Sequence, residues 1–237
     1  MAKSNLRKKS LYRQSVLSVE NRISWAHVAT RHVQKGSLKV SDLIFDETLH
    51  RYTLDGEVIP SVTQIIKPLY DFSMVPAGVL QRAAEFGTAV HKTVELYLKD
   101  DLDEDSIDEP IYNCLMAYQA FEADHYDIFD ETPIVEQIDY HPKLKYSGTP
   151  DLVFPSRIID IKSRKVNMLT DAIQIAAYDH MTGNGDRERL VLELCDDASY
   201  TLTCVNPTKK SGKEAWSRFR FLLDHYRNQQ EIERWKK

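Results

Sequence analysis

Residues 148 to 163 read GTPDLVFPSRIIDIKS, and this stretch constrains the chain more than any other. Residues 148 to 154 and 157 to 163 are short, rich in Val and Ile, and separated by Pro155-Ser156. That pattern predicts two adjacent strands of an antiparallel hairpin. Asp151 falls near the start of the first apolar run, and Asp160 and Lys162 fall on the second. Two residues apart on a strand, Asp160 and Lys162 leave the same face. An interior strand does not carry Asp and Lys on one face beside a second carboxylate unless they are paired or hold a metal. The set suits a divalent cation on two hard carboxylate oxygens, with an ammonium near enough to act on water or phosphate.

Pro150-Asp151, eight intervening residues, then Asp160-Ile161-Lys162 resembles the PD-(D/E)xK nuclease signature. Asp-x-Lys-Ser at 160–163, Gln174-x-x-x-Tyr178 on a predicted helix, and Gly87-Thr88-Ala89-Val90-His91 on an earlier one resemble the RecB-like exonuclease branch of that superfamily. Tyr52-x-Leu54-Asp55-Gly56 followed by Pro60-Ser61-Val62-Thr63 is similar to the lead-in of its phage-type members. The resemblance spans roughly residues 43 to 205. It implies an α/β (α+β) fold with a mixed central sheet flanked by helices, the restriction-endonuclease-like core.

The chain has 237 residues, 42% hydrophobic and 28% charged, as a globular protein does. No apolar run reaches the length of a membrane span, and the basic N-terminus lacks the apolar segment of a signal peptide. Cys114, Cys195 and Cys204 are scattered in apolar patterns, which reads as reduced core cysteines of a cytoplasmic protein. Some RecB-like relatives carry an iron–sulfur cluster on four cysteines; three at these spacings predict none here.

Charge is lopsided. Residues 1 to 40 hold nine Lys or Arg and one acid, Glu20, a net of +8, which leaves −13 for the rest of a chain totalling −5. A basic arm over 1–40 on a single domain over 41–237 fits DNA met by one segment or face; a solvated terminus is the alternative. Within the arm, Tyr12, Val16, Val19, Ile23, Ala26 and Val33 recur at helical spacing up to Gly36. Arg13, Arg22 and Arg31 on that helix, with Arg164 after the hairpin, are the residues assigned to DNA.

Farther along, short strands with turns near Asp46-Glu47 and at Asp55-Gly56 precede a short helix capped by Ser61 and ended by Pro68. A long helix over 77–99 contains Gly87, a choice that costs about 1 kcal/mol against Ala and points to a close approach. The acidic run 100–109 reads as a solvated linker ending in a capping box, Ser106-x-x-Glu109, that starts the next helix. Strands near 134–140, 148–154 and 157–163, a helix over 171–182 closed by Gly183, strands RLVLELC and YTLTCV, and a helix with Trp216, Phe219, Leu223 and Tyr226 on one face complete the order.

Phosphodiester hydrolysis needs charge neutralised on phosphate oxygens, an attacking hydroxide and help for the leaving oxygen, which one or two Mg²⁺ ions supply. Asp151 and Asp160 are the candidate ligands; the resemblance adds the Ile161 backbone carbonyl and His91. An imidazole ligand shifts preference toward Mn²⁺, which is expected to substitute for Mg²⁺. Lys162 would orient or deprotonate the attacking water. Glu136, resembling an acid that precedes the Asp in this branch, either reaches a second metal or DNA or is an exposed strand residue. Glu95, on the face of His91, reads as a surface or helix-pair residue. The resemblance assigns Gln174 and Tyr178 to holding Lys162 and the nicked strand, with a core-edge role open for Tyr178.

Other chemistries lack their motifs: no phosphate loop, no HExxH or CxxC, no nucleophile elbow. Three functions stay open. The first is a metal-dependent exonuclease acting from duplex DNA ends, of the kind phages pair with a single-strand-annealing recombinase. The others are a structure- or sequence-specific endonuclease on the same fold, and a DNA-binding module without turnover. The N-terminal helix and the Trp216 face are candidate contacts for a homo-oligomer.

Overall fold

The computed structural model describes residues 42–46, 49–183 and 185–236. The predicted N-terminal helix with Arg13, Arg22 and Arg31 lies outside the described residues, as does the expected domain boundary at 40.

Three short strands open the described chain: β1 (Leu43–Asp46), β2 (Arg51–Leu54) and β3 (Glu57–Ile59), an antiparallel meander. Asp55 and Gly56 between the last two both have positive φ, 53° and 86°, as a tight two-residue hairpin requires. One face of this meander buries Tyr52, Leu54 and Ile59 with Tyr140. Ser61 then caps α1 (Val62–Ile66) with a complete capping box: its hydroxyl accepts from the Gln64 N–H, and Gln64 Oε1 accepts from the Ser61 N–H. The chain tightens to a 3₁₀ turn at Lys67–Leu69, where Pro68 cannot extend an α ladder.

Helix α2 (Ala77–Leu98) follows, then α3 (Glu109–Asp124). The capping box expected at Ser106 does not form. Its hydroxyl donates to the Asp103 carbonyl instead, and α3 starts after Asp108. Pro110 decides this. A cap at Ser106 would put Pro110 where the first ladder N–H must donate, whereas a start at Glu109 leaves Pro110 in the first turn, where no N–H is needed.

The rest of the chain builds the central sheet. In order come β4 (Ile134–Val135), β5 (Asp139–Tyr140), β6 (Ser147–Gly148), β7 (Leu152–Val153), β8 (Arg157–Lys162), α4 (Thr170–Met181), β9 (Glu188–Leu194), β10 (Tyr200–Cys204) and α5 (Lys209–Trp235). The sheet order is β10-β9-β8-β7-β4, parallel only between β8 and β9, which α4 connects. This is the expected α+β class: a mixed central sheet with helices on both faces. The hairpin is present, with Leu152 opposite Ile159 and Val153 opposite Ile158.

Two predicted strands are divided. Residues 134 to 140 break at Glu136, whose φ of 50° ends β4 and sends Asp139–Tyr140 to pair with β6 in a separate ladder. Residues 148 to 154 break at Thr149-Pro150, because proline has no N–H to give a ladder; Gly148 stays with β5, and Leu152 joins the central sheet.

Strand alternation sorts the core. Ile158 and Val191 face α1, α4 and α5, while Ile159, Ile161, Leu190, Leu192 and Leu194 face α2 and α3. A buried ion cluster locks the first side. Arg189, 2% exposed, donates from Nε to Asp179 Oδ2 (3.0 Å), from Nη1 to the Gly212 carbonyl and from Nη2 to the Gly185 carbonyl. Arg187 adds a second guanidinium on Asp179 Oδ1 at 3.2 Å. One carboxylate thus joins the end of α4, the start of β9 and the first turn of α5. Asp179→Ala leaves buried cations uncompensated and is expected to cost about 3–5 kcal/mol in urea unfolding; a loss under about 1 kcal/mol would contradict this clamp.

Candidate functional site

The hairpin register sets Asp151 just before the β7–β8 ladder, on the edge reached by α2. Asp151 Oδ2 accepts the Ile161 backbone N–H at 2.6 Å, and Oδ1 meets His91 Nδ1 at 2.9 Å. Ile161 therefore enters the site through its main chain while its side chain fills the core beside α2. On α2, Val90 is buried in the core and His91, one residue on, reaches the sheet edge. Glu136 closes the group from the other side: its N–H donates to the Asp151 carbonyl at 3.0 Å, and its Oε1 lies 3.9 Å from His91 Nδ1. It is thus not an exposed strand residue. The left-handed turn that ends β4 brings its carboxylate in. One ligand atom each from His91, Glu136 and Asp151 falls within a 4.8 Å cluster.

Beside it, Asp160 and Lys162 project from one face of β8. Their side chains are 4% and 12% exposed, with Nζ 2.6 Å from Oδ2. Asp160 Oδ2 is buried, and the Lys162 ammonium offsets its charge there. Lys162 Nζ donates to Gln174 Oε1 (3.2 Å), and Gln174 Nε2 donates to the Tyr178 hydroxyl (3.2 Å). The i,i+4 spacing on α4 makes this relay possible. Tyr178 is buried, its ring against Gly148, where a Cβ would come 2.6 Å from Cε1. Only glycine fits there, so Tyr178 is a core residue whose hydroxyl belongs to the relay.

A cleft of about 250 Å³ opens onto these groups, lined by Ala83, Phe86, Gly87, His91, Lys162, Ser163 and Arg164. Gly87 faces Ser163 Oγ, which a Cβ would meet at 3.4 Å, an ordinary contact and looser than the close approach expected of a mid-helix glycine. Arg164, on the cleft wall, is anchored from within. Its guanidinium grips the fully buried Asp171 with two hydrogen bonds, at 3.0 and 2.5 Å, and donates to the Lys165 carbonyl. Glu95 is held by Lys92 (2.9 Å) and Lys99 (2.6 Å), the helix pairs its spacing predicts.

Burial and crowding set the protonation of the group. Burial and the neighbouring Asp151 charge push the Glu136 carboxyl up to about 9. Burial raises Asp160 to about 6; Lys162 opposes the shift and Asp151 adds to it. Burial would lower His91, but its ion pair with Asp151 overcomes that and leaves it raised. Burial would raise Asp151, but His91, Lys162 and the Ile161 N–H hold it below the usual carboxylate range. At neutral pH Glu136 thus keeps its proton beside Asp151, which has lost its own.

Sequence reasoning missed two features. The Tyr52 hydroxyl bonds Thr149 Oγ1 at 2.9 Å, two residues before Asp151; the Tyr-x-Leu-Asp-Gly lead-in was its only signal. The Asp179–Arg189 clamp had none, since the partners pair across elements. No family profile and no curated protein matches the chain. Among solved structures, one from Eubacterium rectale described as a "Putative exonuclease" aligns with a TM-score of 0.39 at 13% identity, over 59% of this chain and 68% of that one. Among the described residues no helix is long and apolar enough to cross a membrane.

The protonation pattern predicts a pH dependence. Between pH 5 and 9 the metal-free folded chain keeps protons on Glu136 and His91 that the unfolded chain releases; the large Glu136 shift outweighs the depressed His180, which opposes it below pH 6.5, so stability falls as pH rises. The Asp151 shift acts only below pH 4. In chelator, Tm should drop by about 5 °C or more from pH 5.5 to 8.5, and Glu136→Gln should at least halve that drop. A flat or rising Tm in the parent protein would refute the assignment.

Proposed function

We propose that this chain is a metal-dependent deoxyribonuclease of the PD-(D/E)xK type, acting as an exonuclease on DNA ends. The observation that carries the reading is one constellation: the His91, Glu136 and Asp151 ligand cluster adjoining the Asp160–Lys162 pair. The donor set fits a divalent cation: an imidazole and two carboxylates offer ligand atoms within 4.8 Å of one another, and Glu136 holds a proton at a place where a cation would relieve carboxylate repulsion. His91, Glu136, Asp151 and Asp160, with the Ile161 carbonyl, would hold Mg²⁺; the imidazole makes Mn²⁺ an effective substitute. The chemistry such an ion supplies is charge neutralisation on phosphate oxygens and acidification of water.

The protein's own groups do the rest. Lys162, pinned by Asp160 and Gln174, presents an ammonium to the scissile phosphate and to the attacking water. Tyr178 holds Gln174 and thereby fixes where that ammonium points. Water attacks phosphorus, the bond to the 3′-oxygen breaks, and the water's proton ends on that oxygen, leaving a 5′-phosphate and a 3′-hydroxyl. The basic arm with Arg13, Arg22 and Arg31 supplies duplex affinity in this reading, a homo-oligomer encloses the DNA, and a strand-annealing recombinase receives the exposed strand.

The test compares end-labelled linear duplex with a covalently closed circle, each in Mg²⁺, Mn²⁺ or EDTA. Metal-dependent loss of the linear DNA alone is expected, with Asp160→Ala and Lys162→Met each slower by about 10²-fold or more. Cleavage of the circle would make the chain an endonuclease. Salt-sensitive binding with every substrate intact would make it a binding module and overturn the reading.

A further inference from the structure

We infer that Tyr52 is a positioning residue of the site: through Thr149 it sets the segment that carries Asp151 into the ligand cluster. Residues 147–151 cross from one ladder to another. β6 ends at Gly148, β7 begins at Leu152, and Pro150 between them has no N–H to offer. Side chains and neighbouring carbonyls do the work that ladder bonds do elsewhere. The Ser147 N–H donates to the Pro60 carbonyl at 2.9 Å, and Ser147 forms a parallel bridge with Ser61. Gly148 lies against the Tyr178 ring. Thr149, the last residue before Pro150-Asp151, has its hydroxyl tied to Tyr52 at 2.9 Å.

Tyr52 is built for that task. It is 4% exposed, its ring stacks on Phe45 with centroids 4.5 Å apart, and β2 is flanked by β1 and β3. A hydroxyl held this rigidly restrains Thr149, and with it the direction in which the chain delivers Asp151 toward His91 and Glu136. The small meander, outside the central sheet, thereby acquires a role at the site.

The inference takes from the nuclease reading only what the site is for. The full chain is compared with Tyr52→Phe, Thr149→Val, Thr149→Ser and the Tyr52→Phe/Thr149→Val double variant. The probe is Mn²⁺ alone, its binding followed by electron paramagnetic resonance. Amide hydrogen exchange over 147–153 and Tm are read in chelator. Tyr52→Phe and Thr149→Val should each weaken Mn²⁺ binding by about 3–10-fold, with the double no weaker than either. Thr149→Ser, which keeps the hydroxyl, should restore it. Exchange over 147–153 should accelerate while β8 and β9 stay protected and Tm stays within about 2 °C. Affinities within twofold of the parent, or acceleration spread over the whole sheet, would overturn the inference. If the parent chain binds no Mn²⁺, the nuclease reading fails, and exchange over 147–153 alone decides the role of Tyr52.

Discussion

Three charged side chains, the buried Asp151 and Asp160 and the half-buried Lys162, sit at the rim of one hairpin, and the surrounding structure is arranged to tolerate them. Unpaired, each would carry a desolvation cost of several kcal/mol. The protein offsets it locally: Asp151 takes the Ile161 N–H and His91, and Lys162 sits between Asp160 and Gln174. The compensation is incomplete at Glu136, which stays neutral only by keeping a proton. A stable core has no need of such a residue set, whereas a cation site does. In this account the protons on Glu136 and His91 occupy the charge balance that a divalent ion takes over when bound.

Each layer of the fold contributes one part of that arrangement. Helix α2 brings His91, the left-handed turn after β4 brings Glu136, and α4 brings Gln174 and Tyr178 to the face of β8 that carries Asp160 and Lys162. The Asp179–Arg189 cluster fixes the far end of α4 against β9 and α5. The precision at Gln174 is therefore anchored at the opposite end of the same helix. Arg164 lines the cleft and also holds Asp171 at the start of α4.

Local chemistry was legible in the sequence, and long-range pairing was not. The hairpin could be read because short apolar runs, 152–154 and 158–161, flank Pro155-Ser156, and the shared face of Gln174 and Tyr178 because they are one helical turn apart, their link to Lys162 coming from the resemblance alone. The capping box at Ser106 was misread because Pro110, four residues on, vetoes it. The break at Glu136 carries no sequence signal, since a non-glycine residue with positive φ is held there by its surroundings. Tyr52 with Thr149 and Asp179 with Arg189 join residues that only the fold brings together.

The central claim is that His91, Glu136 and Asp151 are one cation site. Anomalous diffraction from crystals soaked in Mn²⁺ at pH 8 tests it most directly. The account predicts a peak within ligand distance of His91 Nδ1 and of carboxylate oxygens of Glu136 and Asp151, with the His91–Asp151 hydrogen bond replaced. A well-ordered site without that peak, its His91–Asp151 bond intact, would contradict it.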